Sequence, residues 1–155
     1  MGGGRASILR KKLRYERGFV YQVTTSNESL SDSGAFNIKT STNKKDLNET
    51  LSIILSEISS IKRKGFNKSQ LVFAKNKISK SYKRTMQTSG SWVDFHSLGE
   101  LIDPENYLKL NEYVDKIVKI DNKKIIEAAN KYFKPNSWYL VASGDISKSD
   151  IEIDF

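Results

Sequence analysis

The sequence contains no cysteine and a single histidine, His96. The absence of thiols excludes disulfides, thiolate metal sites and cysteine nucleophiles. One imidazole cannot supply the histidines of a catalytic zinc site, and it makes any Ser-His-Asp triad arbitrary. No apolar run approaches the roughly 18 residues that a membrane span needs, so we expect no membrane partner.

Acidic residues number 18 against 26 lysines and arginines, and the formal net charge is +8 over 155 residues. The cations are densest between Arg5 and Arg17, a stretch whose only acid is Glu16. Such a surplus fits either solvated helix faces or a nucleic-acid surface. The chain has no RNA-recognition motif, zinc finger or Gly-Lys phosphate loop, so we favour solvated faces and expect no nucleic-acid partner.

The first 42 residues predict a helix followed by a β-hairpin. The spacing of Ile8, Leu9 and Leu13 indicates a helix over residues 6–17, closed by Gly18. Residues 19–25 and 34–42 alternate apolar and polar side chains and predict two strands. The turn-rich "SNESLSDSG" between them predicts an antiparallel pairing.

The rest of the chain is dominated by helical patterns. Asn43 with Asp46, and Asn67 with Gln70, are typical of helix caps that begin two long helices. A third helix is expected over residues 92–101.

Two further helices and a strand complete the prediction. Asp103 and Pro104 indicate the start of one helix, and Asp121 the cap of the last. The last helix is expected to bury Ile125, Ala128, Ala129, Tyr132 and Phe133. Pro135 ends it, and "SWYLVASG" predicts a strand buried on both faces.

This order of elements predicts an α+β fold of two layers, with helices on one face of a mainly antiparallel sheet. Three strands make a thin sheet for so many helices. We therefore expect a partner strand to be missing or supplied by another segment, and the open edge to favour self-association.

Several stretches together are similar to the second, non-zinc domain of an insulinase-like zinc metallopeptidase subunit, the family of pitrilysin and the mitochondrial processing peptidases. They are "GGGRASILRKKLRYERGFVYQV", "SDSGAFNIKTSTNKKDLNETLSIILSEI", "YVDKIVKIDNKKIIEAANKYF" and "KPNSWYLVASGDI". The resemblance implies a peptidase C-terminal-type domain over residues 1–145, with the family's first strand missing. Residues 146–155 would be an acidic tail, and the chain a fragment of a larger subunit.

In the family that the chain resembles, zinc is held by a His-x-x-Glu-His helix and a distant Glu in another domain. His96 and Glu100 can share a helix face, yet two ligands do not make a zinc site. The resemblance thus implies no metal, cofactor or catalytic residue in this chain. Zinc would lie in a partner domain or subunit, and the chain alone would be inactive.

The resemblance also assigns a role to Arg14 and Tyr21, which flank Gly18 seven positions apart. Family members place an Arg and a Tyr at these positions against the bound peptide, near the scissile carbonyl and opposite the zinc. From the spacing alone, a surface helix charge at Arg14 and a half-buried sheet aromatic at Tyr21 are the favoured interpretation, and only the resemblance favours the functional one. The chain is expected to be a substrate-clamping domain of a zinc endopeptidase, or alternatively a non-catalytic structural or partner-binding paralogue. We expect a peptide substrate and a cytoplasmic location.

Overall fold

The computed structural model describes residues 1–2, 4–30, 32–102, 104–105 and 107–152. The described residues form a short helix that continues into a π-helical turn, one antiparallel hairpin and five longer helices. Their bounds are α1 Ile8–Arg10, the π turn Lys11–Tyr15, β1 Val20–Ser29, β2 Gly34–Thr42, α2 Leu47–Lys64, α3 Lys68–Thr85, α4 Ser89–Ile102, α5 Leu110–Val118 and α6 Asn122–Tyr132.

The chain divides into two compact units. Unit 1 contains residues 1–63 and 129–155, and unit 2 contains residues 64–128. The predicted domain over residues 1–145 and the tail over residues 146–155 stay predictions, and residues 153–155 of that tail lie outside the described residues. No helix in the described part of the chain is both long and apolar enough to span a membrane.

The core of unit 1 lies between the hairpin and the helices on one of its faces. Its buried apolar side chains come from the first helix, β1 and α2; they are Leu9, Leu13, Val20, Val23, Ile54 and Ile58. Removing this area from water is the main favourable term in folding the unit. The predicted α+β class, with helices on one face of an antiparallel sheet, is confirmed.

The hairpin is longer than predicted. β1 runs to Ser29, where it pairs with Gly34, so "SNES" belongs to the strand rather than to the turn. Serine and asparagine have low strand propensity, but pairing with the residues of β2 overrides it. Ser31 lies outside the described residues.

In unit 1, α2 is amphipathic as predicted and buries Ile54, Ile58 and Ile61. Asn43 does not cap it through its side chain; a 3-10 turn, Lys44–Asp46, comes first. The Asn43 amide instead donates to the Asp46 carboxylate over 3.4 Å.

In unit 2, the cap predicted for α3 is confirmed. The Asn67 side chain accepts from the Gln70 backbone N–H, and the Gln70 side chain accepts from the Asn67 N–H. The predicted cap of α6 is also present, because the Lys124 N–H donates to the Asp121 carboxylate over 2.9 Å.

The helix predicted from Asp103 and Pro104 is wrong in the described part. Residues 104–105 form a turn, and α5 begins at Leu110, where the Lys109 N–H donates to the Glu112 carboxylate over 3.0 Å. Asp103 itself lies outside the described residues. A proline fits a type I turn as well as a helix start, so the local signal did not distinguish the two.

The strand predicted over residues 138–143 is wrong as well, since the structure assigns no strand there. Tyr139 and Val141 are 95% and 91% exposed, whereas Trp138 packs against the ring of Phe133. A strand needs a partner for its ladder, and in the described part of the chain β1 and β2 pair only with each other. In α6, Ala129 is buried as predicted, but Ala128 is exposed and Tyr132 is 65% exposed.

Candidate functional site

Arg14 and Tyr21 lie on either side of a sharp reversal between the π turn and β1. Gly18 has a φ of +69°, which side-chain-bearing residues rarely adopt. Two backbone hydrogen bonds close the reversal: Gly18 N–H donates to Arg14 C=O over 3.1 Å, and Phe19 N–H to Leu13 C=O over 2.9 Å. This fixes the end of the helix against the start of the strand.

A β-bulge then sets the direction of Tyr21. Val20 pairs with Thr42 and Val23 with Thr40, so β1 contains one more residue than β2 over this span. Both valines are buried, and the two residues between them are exposed. The strict alternation expected for this strand is therefore wrong here. Tyr21, one of the two residues at the bulge, is 78% exposed.

The structure brings the two predicted residues together. The Arg14 guanidinium carbon lies 4.7 Å from the centroid of the Tyr21 ring, within the range of a cation–π contact. The Arg14 guanidinium carbon also lies 5.8 Å from the centroid of the Tyr15 ring. The Arg10 guanidinium carbon lies 5.9 Å from the same centroid. We call these four residues the Arg–Tyr cluster.

Arg10 and Tyr15 were not predicted from the sequence as site residues. They are five positions apart, and side chains at that spacing do not share a face of an α-helix. In a π turn, where each N–H bonds to the carbonyl five residues back, they do. The Glu16 N–H donates to Lys11 C=O over 3.0 Å in this manner.

The other cations of this helix have carboxylate partners. Lys11 lies 3.8 Å from Glu16, Arg17 lies 3.0 Å from Glu49, and Lys12 forms an ion pair with Glu57. An open groove of about 380 Å³ adjoins these pairs; its lining includes Lys12, Arg17, Ser52, Ser56 and Glu57. The helix therefore separates its cations into a paired side and the Arg–Tyr cluster.

No group of three or more His, Asp or Glu side chains that suits a metal ion occurs among the described residues. His96 lies in α4, stacked on the Trp92 ring at 4.5 Å and sharing a hydrogen bond with the Tyr107 hydroxyl. Its Nε2 is buried and has no partner in the described part of the chain. The structure thus places His96 in an aromatic cluster with Trp92 and Tyr107.

Comparison with known families gives one decisive match. Residues 1–78, half of the chain, match the model of the peptidase M16 inactive domain. The chain belongs to the peptidase M16 inactive-domain family. The matched part of this M16 domain contains the complete Arg–Tyr cluster, the hairpin and α2.

Similar proteins agree with this assignment. The M16 domain is 28% identical over 137 residues to an uncharacterized zinc protease of Rickettsia felis, covering 85% of this chain and 32% of that protein. The fold is similar to a conserved protein of Enterococcus faecalis V583, with a TM-score of 0.75 and 22% identity, and to a protease of Helicobacter pylori, with a TM-score of 0.71 and 17% identity. The matches cover 84% and 86% of this chain. The chain spans about a third of the length of these relatives.

Proposed function

We propose that this M16 inactive domain is the substrate-clamping, non-zinc-binding half of a zinc-dependent endopeptidase. The single observation that supports it best is the contact between Arg14 and the exposed Tyr21 ring. A relative that carries the name zinc protease is consistent with a zinc-bearing domain or subunit as the partner.

The proposed role of the pair is to donate hydrogen bonds to the peptide. A guanidinium offers a planar fork of donors and stays protonated, and a phenol offers one more donor. Zinc, bound by the partner domain, would supply the activated water. The two side chains would hold the scissile carbonyl and stabilise the negative charge that develops on its oxygen. Donors of this kind are worth a few kcal/mol in a site that excludes water.

The contact between the two side chains supports this role in a second way. An arginine side chain loses considerable rotamer freedom when it binds a ligand. The Tyr21 ring restricts Arg14 before the peptide arrives, so less entropy is lost on binding. The bulge sets the direction of the Tyr21 side chain, and the reversal at Gly18 sets the distance between Arg14 and Tyr21.

The second candidate function is a non-catalytic structural or partner-binding subunit. The apolar segment over residues 138–143 favours it, because Tyr139 and Val141 are almost fully exposed there. Exposed apolar segments of this kind mark interaction surfaces, so we also propose self-association through this segment. A His-x-x-Glu-His motif in the same protein or an adjacent gene would favour the enzyme. A cytoplasmic location stays a prediction.

The proposal is tested in the complete enzyme, assembled with its zinc-bearing domain. Arg14→Ala and Tyr21→Phe should each lower kcat by roughly 10- to 1000-fold, the scale for losing one oxyanion donor. Thermal stability should change little, because neither substitution opens a core cavity.

Arg63→Ala and Tyr132→Phe are matched controls, since both side chains are exposed in unit 1 and outside the cluster. They should leave kcat unchanged. Unaltered turnover in the Arg14 and Tyr21 variants would contradict the proposal, and so would activity that falls only in proportion to the folded fraction.

A further inference from the structure

The Arg–Tyr cluster holds two guanidinium groups and no carboxylate. Arg10 and Arg14 form no ion pair within the described residues, whereas Lys11, Lys12 and Arg17 each do. Like charges four residues apart on a helix repel each other. The arrangement therefore lacks the anion that would balance it.

Arg10 is fixed in place without an internal acceptor. Its Nε is buried and makes no hydrogen bond within the described part of the chain. The two terminal nitrogens of Arg10 also make no hydrogen bond there, but unlike Nε they are not buried. A side chain held by its stem, with the tip open to solvent, suits an external acceptor.

Tyr15 connects the two arginines. Its ring centroid lies 5.9 Å from the Arg10 guanidinium carbon and 5.8 Å from that of Arg14. The negative face of an aromatic ring attracts both cations and so reduces the cost of keeping them near each other. The π turn is what places Arg10 and Tyr15 on one face.

We propose that Arg10, Arg14 and Tyr15 form a subsite for one carboxylate of the bound peptide. The inference rests on the proposed function, because it takes the ligand of the cluster to be a peptide. Arg10 binds the carboxylate through its terminal nitrogens, and Arg14 adds its charge while its fork serves the peptide carbonyl. Two unpaired cations match a single carboxylate, whereas a nucleic-acid strand would need a longer row of them.

The carboxylate has two possible sources, an acidic side chain near the scissile bond or the free C-terminus of the peptide. Three probes distinguish them: N-acetyl-glutamate N-methylamide, its neutral glutamine counterpart, and N-acetyl-glutamine with a free α-carboxylate. Titration of the 155-residue chain is followed by the Nε–Hε cross-peaks of Arg10 and Arg14 in ¹H–¹⁵N NMR spectra.

We expect the Arg10 cross-peak to shift with a carboxylate probe at about tenfold lower concentration than with the neutral probe, the scale for a charge-assisted hydrogen bond. The tighter of the two carboxylate probes identifies the source. In the Arg10 variants the Arg14 cross-peak reports binding. Arg10→Gln and Arg10→Met should abolish the preference, Arg10→Lys should retain it only in part, and Arg63→Gln should leave it intact. The preference should also weaken as salt is raised.

Equal binding of charged and neutral probes would overturn the proposal, and so would a preference that survives both Arg10 substitutions. If inorganic phosphate binds more tightly than either carboxylate probe, the ligand of the cluster is a phosphate and not a peptide, and the proposal is overturned. In the complete enzyme, Arg10→Gln should lower kcat/KM about tenfold more for a glutamate substrate than for its glutamine analogue. Tyr21→Phe should lower both alike, so the failure of this inference is distinguishable from failure of the proposed function.

Discussion

The two units of the molecule are built by different means. Unit 1 buries aliphatic side chains completely: Leu9 and Leu13 are 0% exposed and Val23 is 2% exposed. In unit 2, α4 buries none of its residues, and Leu98 and Leu101 are 54% and 81% exposed.

Aromatic rings take a larger part in unit 2. Tyr82 packs against Phe95 and Tyr113 at centroid distances of 6.2 and 4.3 Å, and Tyr107 packs against Phe95 at 5.9 Å. Polar links to the backbone add to this, as when Lys75 Nζ donates to the Val118 carbonyl over 2.7 Å.

This difference in burial between the two units indicates which of them can hold side chains in a precise geometry. The two tyrosines of the Arg–Tyr cluster are exposed, but the elements that carry them are anchored by Leu9, Leu13 and Val23 in the core. A binding geometry needs such a rigid support, and regions with few buried apolar contacts open locally at low cost. Unit 2, with its many exposed apolar side chains, suits contact with other surfaces better than it suits chemistry.

The largest expected effect separates the two units by a matched pair of substitutions. Leu13→Ala should lower the free energy of unfolding by about 3 kcal/mol, because it opens a cavity in the core. Leu98→Ala in α4 should change it by less than about 0.5 kcal/mol, since that side chain is already half exposed. Urea unfolding followed by tryptophan fluorescence measures both. Equal losses would end the distinction between the units.

Alkaline pH should weaken unit 2 in particular. Burial, together with a hydrogen bond to Tyr82, raises the pKa of Tyr113 to about 12 from its ordinary value of 10.0. The fold favours the neutral phenol, so this contribution is complete below about pH 10 and is lost as the pH rises from about 10 to 12. We expect a loss of about 1.5 kcal/mol after allowance for solvent screening of a half-buried group. Hydrogen exchange should show the opening in unit 2 first, and Tyr113→Phe should reduce the pH dependence.

The stability cost of the proposed carboxylate subsite is measurable without any ligand. Arg10→Met keeps an apolar stem and removes a buried donor that has no acceptor, so the chain should gain about 1 kcal/mol of stability. Arg63→Met, at an exposed position, should have no such effect. Chemical denaturation of the two variants measures the change in the free energy of unfolding. A loss on Arg10→Met would mean that the arginine is a structural residue.

The smallest effect is expected in unit 1 at acid pH. The Ser147 backbone N–H, which donates to the Asp150 carboxylate over 2.7 Å, and Lys44, at 2.9 Å, lower the pKa of Asp150 below its ordinary value of 3.8. The contribution is present above about pH 3.8 and is lost as the pH falls through the lowered pKa. Asp150→Asn should therefore reduce the acid sensitivity of unit 1 slightly, seen as a shift of its acid unfolding midpoint. Lys148→Gln is the control, and an equal shift there would indicate a general charge effect.

Local signals predicted much of the fold, and non-local ones account for the errors. The cap at Asn67 and the apolar stripe of α2 depend on residues within a few positions, and both were predictable. The segment over residues 138–143 has the composition of a buried strand, but a strand exists only with a partner, which no local pattern specifies.

The same reasoning applies to the site. Arg14 and Tyr21 were found through a family resemblance, and the structure brings them into contact. Arg10 and Tyr15 were missed because the sequence was interpreted with the spacing of an α-helix. The bulge was missed because its extra residue is defined by the opposite strand.

The π turn and the bulge have a common consequence for how this site can change over time. Each contains one residue more than a regular helix or strand would have at that place. The relative positions of Arg10, Arg14 and Tyr21 thus depend on the number of residues between them as much as on their identity. A relative with a single deletion here would retain every arginine and tyrosine and still lose the arrangement, because the faces of the helix and strand would rotate. We therefore expect an alignment gap between residues 10 and 23 to disturb the Arg–Tyr cluster as much as a substitution within it does.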